Sequence, residues 1–160
     1  YDYILKAADF KKTDILYDLY CGTGTIGIYL AKHVHQVYGI EIVEDAIQDA
    51  KHNAKTNHID NAHFYCGDLK DVLNSDVMDN IKKPNIIIVD PPRPGLHPKT
   101  IKNLIKLSSE KIIYVSCNPS TMARDIEILV SEKYMITDLQ PIDMFPHTPH
   151  IECVATLILN

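Results

Sequence analysis

No two of the four cysteines, Cys21, Cys66, Cys117 and Cys153, form a C-x-x-C pair. That disfavours a zinc or iron–sulfur site within this chain, and free thiols fit a reducing cytoplasm. No apolar run approaches the roughly 20 residues that cross a bilayer. No signal peptide is visible, and a chain beginning at Tyr1 reads as a cut piece of a longer protein. Internal repeats and low-complexity tracts are missing too. Basic residues are outnumbered, 16 Lys and Arg against 21 Asp and Glu, for a formal net charge of −5. That is a poor footprint for a stand-alone nucleic-acid binder, which carries a basic face.

What is present suits one soluble domain: 160 residues, 46% of them apolar and 23% charged. Strand and helix patterns alternate. A short amphipathic helix is expected over Asp2–Phe10, with Tyr3, Ala7 and Phe10 inward. Strands are expected over Ile15–Tyr20, Gln36–Ile42, Ala62–Cys66, Asn85–Asp90 and Lys111–Ser116. Helices are expected over Thr25–His33, Val43–Asn57, His97–Leu107 and Ser120–Glu132, the last capped near Ser120. Leu69–Lys83 reads as mostly helical, with Val72, Leu73, Val77 and Ile81 inward. Ile86-Ile87-Ile88-Val89 is continuously β-branched, as a strand covered on both faces should be. Tyr134–Ile142 and Glu152–Leu159 read as an antiparallel pair. The pattern predicts an α/β fold: a mostly parallel seven-stranded sheet, helices on both faces, and an antiparallel last strand. A ligand crevice then lies outside the carboxyl ends of the strands, where polar and special residues collect.

The first strand runs into Asp18-Leu19-Tyr20-Cys21-Gly22-Thr23-Gly24-Thr25-Ile26-Gly27. Glycines there let the backbone turn tightly and meet a ligand at close range, before a helix whose first N–H groups are free. Gly22-x-Gly24-x-x-Gly27 matches a dinucleotide fingerprint, so a nicotinamide enzyme enters consideration. Glu41, ending the second strand, can accept both hydroxyls of a ribose. D-x-x-C-G-x-G followed by G-I-E resembles S-adenosylmethionine-dependent methyltransferases more than nicotinamide enzymes. Gly67-Asp68 ends the third strand, where an acid can bond an adenine amino group or cap the next helix.

Asp90-Pro91-Pro92-Arg93 makes a stiff rim after the fourth strand, its carbonyls open to a ligand. Such a loop alone suggests amino-group methylation of a purine. Cys117 ends the fifth strand between Ser116 and Asn118-Pro119, residues foreign to a core, with a helix start nearby to favour a thiolate. Carbon 5 of a pyrimidine does not attack a methyl sulfonium unaided. A thiolate adding to carbon 6 makes carbon 5 nucleophilic, and a base must then remove its proton. Base candidates are Glu152, His147 and His150. The two histidines alone make a weak metal site, and no metal is expected. Cys153 is expected to face the core, on the side of its strand opposite Glu152.

D-L-Y-C-G-T-G-T-I-G, V-D-P-P-R-P-G and V-S-C-N-P-S-T-M-A-R-D, with the closing F-P-H-T-P-H-I-E, together resemble the RNA (uracil-5-)-methyltransferase family over nearly the whole chain. The resemblance implies a Rossmann-like catalytic domain using S-adenosyl-L-methionine on RNA, with Cys117 as nucleophile, Glu152 as base and Asp90 close to the target uracil. It implies donor contacts from Asp18, Tyr20, Gly22, Gly24, Glu41, Asp68 and Asp90, and substrate contacts from Pro91, Arg93, Asn118 and His147. D-M-F-P-H-T looks more like the ribosomal-RNA members than the transfer-RNA member. Full-length members carry an N-terminal oligonucleotide-binding domain, a central domain and often an iron–sulfur cluster, so residues 1–160 resemble the catalytic domain alone. RNA affinity would then reside mostly elsewhere, which answers the charge objection. Two alternatives stay open: amino-group methylation through Asp90-Pro91-Pro92, and a donor-binding module without catalysis of its own.

Overall fold

The computed structural model describes residues 1–73 and 81–160. Its seven strands are β1 (Ile15–Leu19), β2 (Gln36–Glu41), β3 (Ala62–Cys66), β4 (Ile86–Val89), β5 (Lys111–Ser116), β6 (Tyr134–Ile142) and β7 (Glu152–Leu159). They form one sheet in the order β3-β2-β1-β4-β5-β7-β6. The first five run parallel, while β7 is antiparallel to both β5 and β6.

Among the described residues the α-helices are α1 (Asp2–Ala8), α2 (Thr25–Leu30), α3 (Glu44–Thr56), α4 (Leu69–Val72), α5 (Pro98–Leu107) and α6 (Pro119–Glu132). α1 stops short of Phe10 because Asp9 turns left-handed (φ 50°); Ile4 and Ala8 are its buried residues, while Tyr3 and Phe10, expected inward, pack partly buried against the same cluster. α3 places Glu44 and Asp45 at its positive end and Lys55 at its negative end, and buries Ile47, Ala50 and Ala54. α5 and α6 both open on a proline, where the missing N–H costs nothing. The α6 cap is Asn118, not Ser120: its side chain accepts from the Ser120 N–H at 3.2 Å.

Period-two alternation divides the sheet's core. Ile87 and Val89 of β4 join Tyr17, Leu19, Ile112 and Tyr114 beneath α5 and α6. Ile86 and Ile88 join Leu16, Val37 and Ile113 on the face of α1 and α2. A smaller cluster of Cys21, Ile47, Ala50, Ala54 and Phe64 seats α3. Leu73 joins the first cluster and Val72 and Ile81 pack on it, whereas Val77 lies outside the described residues. Cys153 is buried in that cluster as well. Among the described residues no helix is long and apolar enough to cross a membrane.

Candidate active site

The reversed direction of β7 brings two distant residues together. β5 pairs with β7 from Lys111↔Ile158 through Ser116↔Cys153. One step further, the residue leaving β5 is Cys117 and the residue entering β7 is Glu152. Because the strands are antiparallel, the carboxyl end of one meets the amino end of the other. Both side chains are half-buried, and both line a cavity of about 380 Å³ at the carboxyl edge of the parallel strands. Asp90, leaving β4 next door, lines it as well, with Tyr3, Met144 and Phe145 among the walls. Burial pushes the Asp90 carboxyl up to about 6, and the neighbouring Glu152 charge adds to the shift.

The loop after Asp90 is tied down by α6. Pro92 carbonyl accepts from the Gly95 N–H at 2.8 Å. Arg93 carbonyl accepts from Asn118 Nδ2 and Thr121 Oγ1, each at 3.1 Å, and Pro94 carbonyl from Arg124 Nη2 at 2.9 Å. The expectation that this loop offers free carbonyls is corrected for these three: the chain's own donors take them. Asn118 likewise spends its side chain on the Arg93 carbonyl and on its capping bond. Pro91 is buried, Arg93 and His147 are exposed, and His147 adopts a positive φ of 82° in the loop before β7.

The glycine turn forms the other half of the crevice edge. Gly22 (φ 51°) has open space where a Cβ would stand, so the backbone is bare toward the crevice. Its N–H donates to Glu41 Oε2 at 3.2 Å, while Oε1 of the same carboxylate accepts from the N–H groups of Ile42 and Val43. Gly24 (φ 79°) is hemmed by Phe64, whose ring would lie 2.9 Å from an added Cβ. Tyr20 also has a positive φ of 63°, unusual for an aromatic residue. It faces a second, larger groove of about 580 Å³ with Pro92, Leu96 and Ile101.

Asp18 is fully buried beneath this turn, and Oδ2 accepts the Gly27 N–H at 2.8 Å. Its place among donor-contacting residues is therefore revised. The carboxyl is closed off from the crevice and holds the turn from below. Oδ1 has no hydrogen-bond partner, and burial raises this carboxyl to about 7. Asp68 caps α4 through the Lys70 N–H at 3.1 Å and pairs with Lys70 Nζ at 2.6 Å, which holds its carboxyl below the usual range.

One buried cluster escaped the sequence reading. Asp125 is 0% exposed and accepts from Leu96 N–H (2.6 Å), Tyr114 hydroxyl (2.7 Å), and Arg124 Nε and Nη2 (2.9 and 2.7 Å). A signal was available: Asp125 stands on the same helical stripe as Met122, Ile126 and Leu129, and an acid among buried apolar positions needs partners.

The family model described as tRNA (Uracil-5-)-methyltransferase matches residues 1–159. This chain belongs to that family. An uncharacterized RNA methyltransferase from Chlorobaculum tepidum is 47% identical over 156 residues, covering 97% of this chain and 32% of the relative. Another from Caldanaerobacter subterraneus is 48% identical over 143 residues, covering 89% and 31%. This member of the family thus spans about a third of the length of the curated relatives it matches. Among solved structures, the tRNA (uracil-54, C5)-methyltransferase of Pyrococcus abyssi in complex with S-adenosyl-L-homocysteine is 39% identical with a TM-score of 0.83, covering 98% of this chain and 37% of that one. An rRNA methylase from Streptococcus thermophilus, 13% identical with a TM-score of 0.74 over 99% of this chain and 93% of its own, shares the fold.

Proposed function

We propose that this domain transfers a methyl group from S-adenosylmethionine to carbon 5 of a uridine in structured RNA, through a covalent adduct on Cys117. The observation that carries the reading is that Cys117, Glu152 and Asp90 line one cavity. The bare backbone at Gly22 and the adjacent Glu41 carboxylate fit a donor lying across the ends of β1 and β2. When bound, that donor supplies an electrophilic methyl sulfonium.

The chain's residues do the rest. Cys117 thiolate attacks carbon 6, forming an S–C bond and pushing the ring's electron pair into an enolate centred on carbon 5 and the carbon 4 oxygen. Carbon 5 would then take the methyl group as the donor's methyl–sulfur bond breaks, its electron pair staying on sulfur so that S-adenosylhomocysteine leaves. Glu152 then removes the carbon 5 proton, the ring double bond re-forms, and the carbon–sulfur bond breaks to return the thiolate. The Asp90 carboxyl, on the wall of the same cavity, is placed to accept a hydrogen bond from a ring N–H.

Within Asp90-Pro91-Pro92 the Pro92 carbonyl already accepts the Gly95 N–H, which leaves the amino-group alternative fewer open acceptors. D-M-F-P-H-T, residues 143–148, favours ribosomal RNA as substrate. The test is nucleoside mass spectrometry of ribosomal and transfer RNA transcripts treated with the full-length protein. The expected product is 5-methyluridine, from ribosomal RNA, with Cys117→Ala losing at least about 10³-fold in turnover. A methylated exocyclic nitrogen, or near-wild-type turnover by C117A, contradicts the covalent route.

A further inference from the structure

We propose that Asp125 is a positioning residue for the methyl transfer: it fixes the loop that carries Asp90 to the helix that follows Cys117. The inference rests on the reading of Cys117 as nucleophile. Cys117 stands two residues before α6, and Asp90 stands directly before the loop 91–96. Both line the cavity, and each stands just ahead of one of these two segments, so a shift of loop against helix would change how they face each other. Four side chains of the α6 segment hold them. Asn118 and Thr121 grip the Arg93 carbonyl at the helix start, and Arg124 grips the Pro94 carbonyl one turn on. Asp125 receives the Leu96 N–H and aligns Arg124 through a two-pronged pair.

Asp125 is the hub of that set. It is buried, while Arg124 is about half exposed at 52%, so the inner carboxylate dictates where the outer guanidinium lies. Gly95 completes the fit: at φ 81° it presents no side chain, and a Cβ there would lie 2.6 Å from Asp125 Oδ2 and 2.7 Å from Arg124 Nη2. Tyr114 meets the same carboxylate from the strand and anchors it to the sheet. Asp125 itself does not line the cavity that holds Cys117, Glu152 and Asp90, so its effect reaches the reacting ring through the loop.

The contact is approached from both sides in the full-length protein, using Asp125→Asn on the helix and Gly95→Ala on the loop, with Tyr114→Phe as control. Turnover and KM are measured with S-adenosylmethionine and an RNA transcript. The rate of covalent capture is measured with 5-fluorouridine RNA plus donor, since fluorine at carbon 5 leaves no proton to remove and the adduct persists. Misplacement of a reacting group by about 1 Å costs on the order of 10²-fold. D125N and G95A are therefore expected to lose about 10- to 100-fold in kcat and in capture rate, with both KM values within about threefold. Y114F, which keeps the Leu96 and Arg124 bonds, is expected within about threefold of wild type.

If D125N fails to fold, G95A carries the test alone, because it leaves α6 unchanged. Folded variants with wild-type kcat, or with loss confined to KM, overturn the positioning role. So does Y114F falling as far as D125N, which would place the effect in the strand contact. Wild-type protein that neither forms the adduct nor makes 5-methyluridine instead overturns the functional reading beneath it.

Discussion

Replacing Asp18 by asparagine should make the stability of this chain less sensitive to pH. The carboxyl ionises at about 7 in the fold against an ordinary value of 3.8, with burial the main cause and the charges of Asp90 and Glu41 adding to it. The Gly27 N–H bond opposes that shift but does not cancel it. Between these two pH values the folded chain holds a proton that the unfolded chain has released, so stability falls as pH rises. Below 3.8 both states are protonated and the penalty vanishes; above about 7 it is fully present. Each pH unit inside the window is about 1.4 kcal/mol, so the two units between pH 5 and 7 amount to about 3 kcal/mol.

The Asp18→Asn side chain would keep an acceptor for the Gly27 N–H but set an amide where Oδ1 now lacks a partner, a pH-independent loss of about 1–3 kcal/mol. Urea unfolding of both proteins at pH 5 and pH 8 separates the two effects. Asp90, whose carboxyl is also raised, slopes the same way in both proteins, and only its coupling to Asp18 enters the difference, in the same direction. The expected result is that the stability gap moves in favour of D18N by about 3 kcal/mol between pH 5 and pH 8. An equal gap at the two pH values would refute the claim that a buried, destabilised carboxylate props up the glycine turn.

Two further outcomes follow from the same geometry. Glu152→Gln should lower turnover by about 10²- to 10⁴-fold and leave a methylated, unresolved adduct on Cys117 with ordinary RNA, visible by intact mass; retained turnover would pass the base role to another group. Gly39→Ala puts a Cβ 2.4 Å from Phe64 Cδ1 and 3.0 Å from Cys21 Sγ. The overpacking should cost about 1–3 kcal/mol in urea unfolding, and an unchanged midpoint would mean that the Phe64 ring yields.

Much of this fold is legible in the sequence because its signals are local. The β-branched run of β4 requires cover on both faces, and it has it. The acid-rich start of α3 and the prolines opening α5 and α6 mark helix ends by their own chemistry. Cys117 and Glu152 stand out in the sequence as candidates, Glu152 beside His147 and His150, and the short loop between the last two strands announces their antiparallel pairing. What stays hidden depends on where side chains turn. Asp18 reads as a crevice acid from its strand-end position, but the strand's alternation points it under α2, against Gly27. The carbonyls after Asp90 read as free because nothing in P-P-R-P announces that α6 donates to them. Asp125 is visible only as an acid on an apolar stripe, and its partners Leu96 and Tyr114 come from 29 and 11 residues away.

The most direct measurement is the intact mass of the full-length protein after incubation with S-adenosylmethionine and RNA carrying 5-fluorouridine at the modified position, followed by peptide mapping. The expected result is a stable protein–RNA adduct whose nucleotide remnant maps to Cys117 and disappears in C117A. Protein that methylates ordinary RNA yet forms no such adduct, or forms it on another residue, contradicts a covalent route through this thiol.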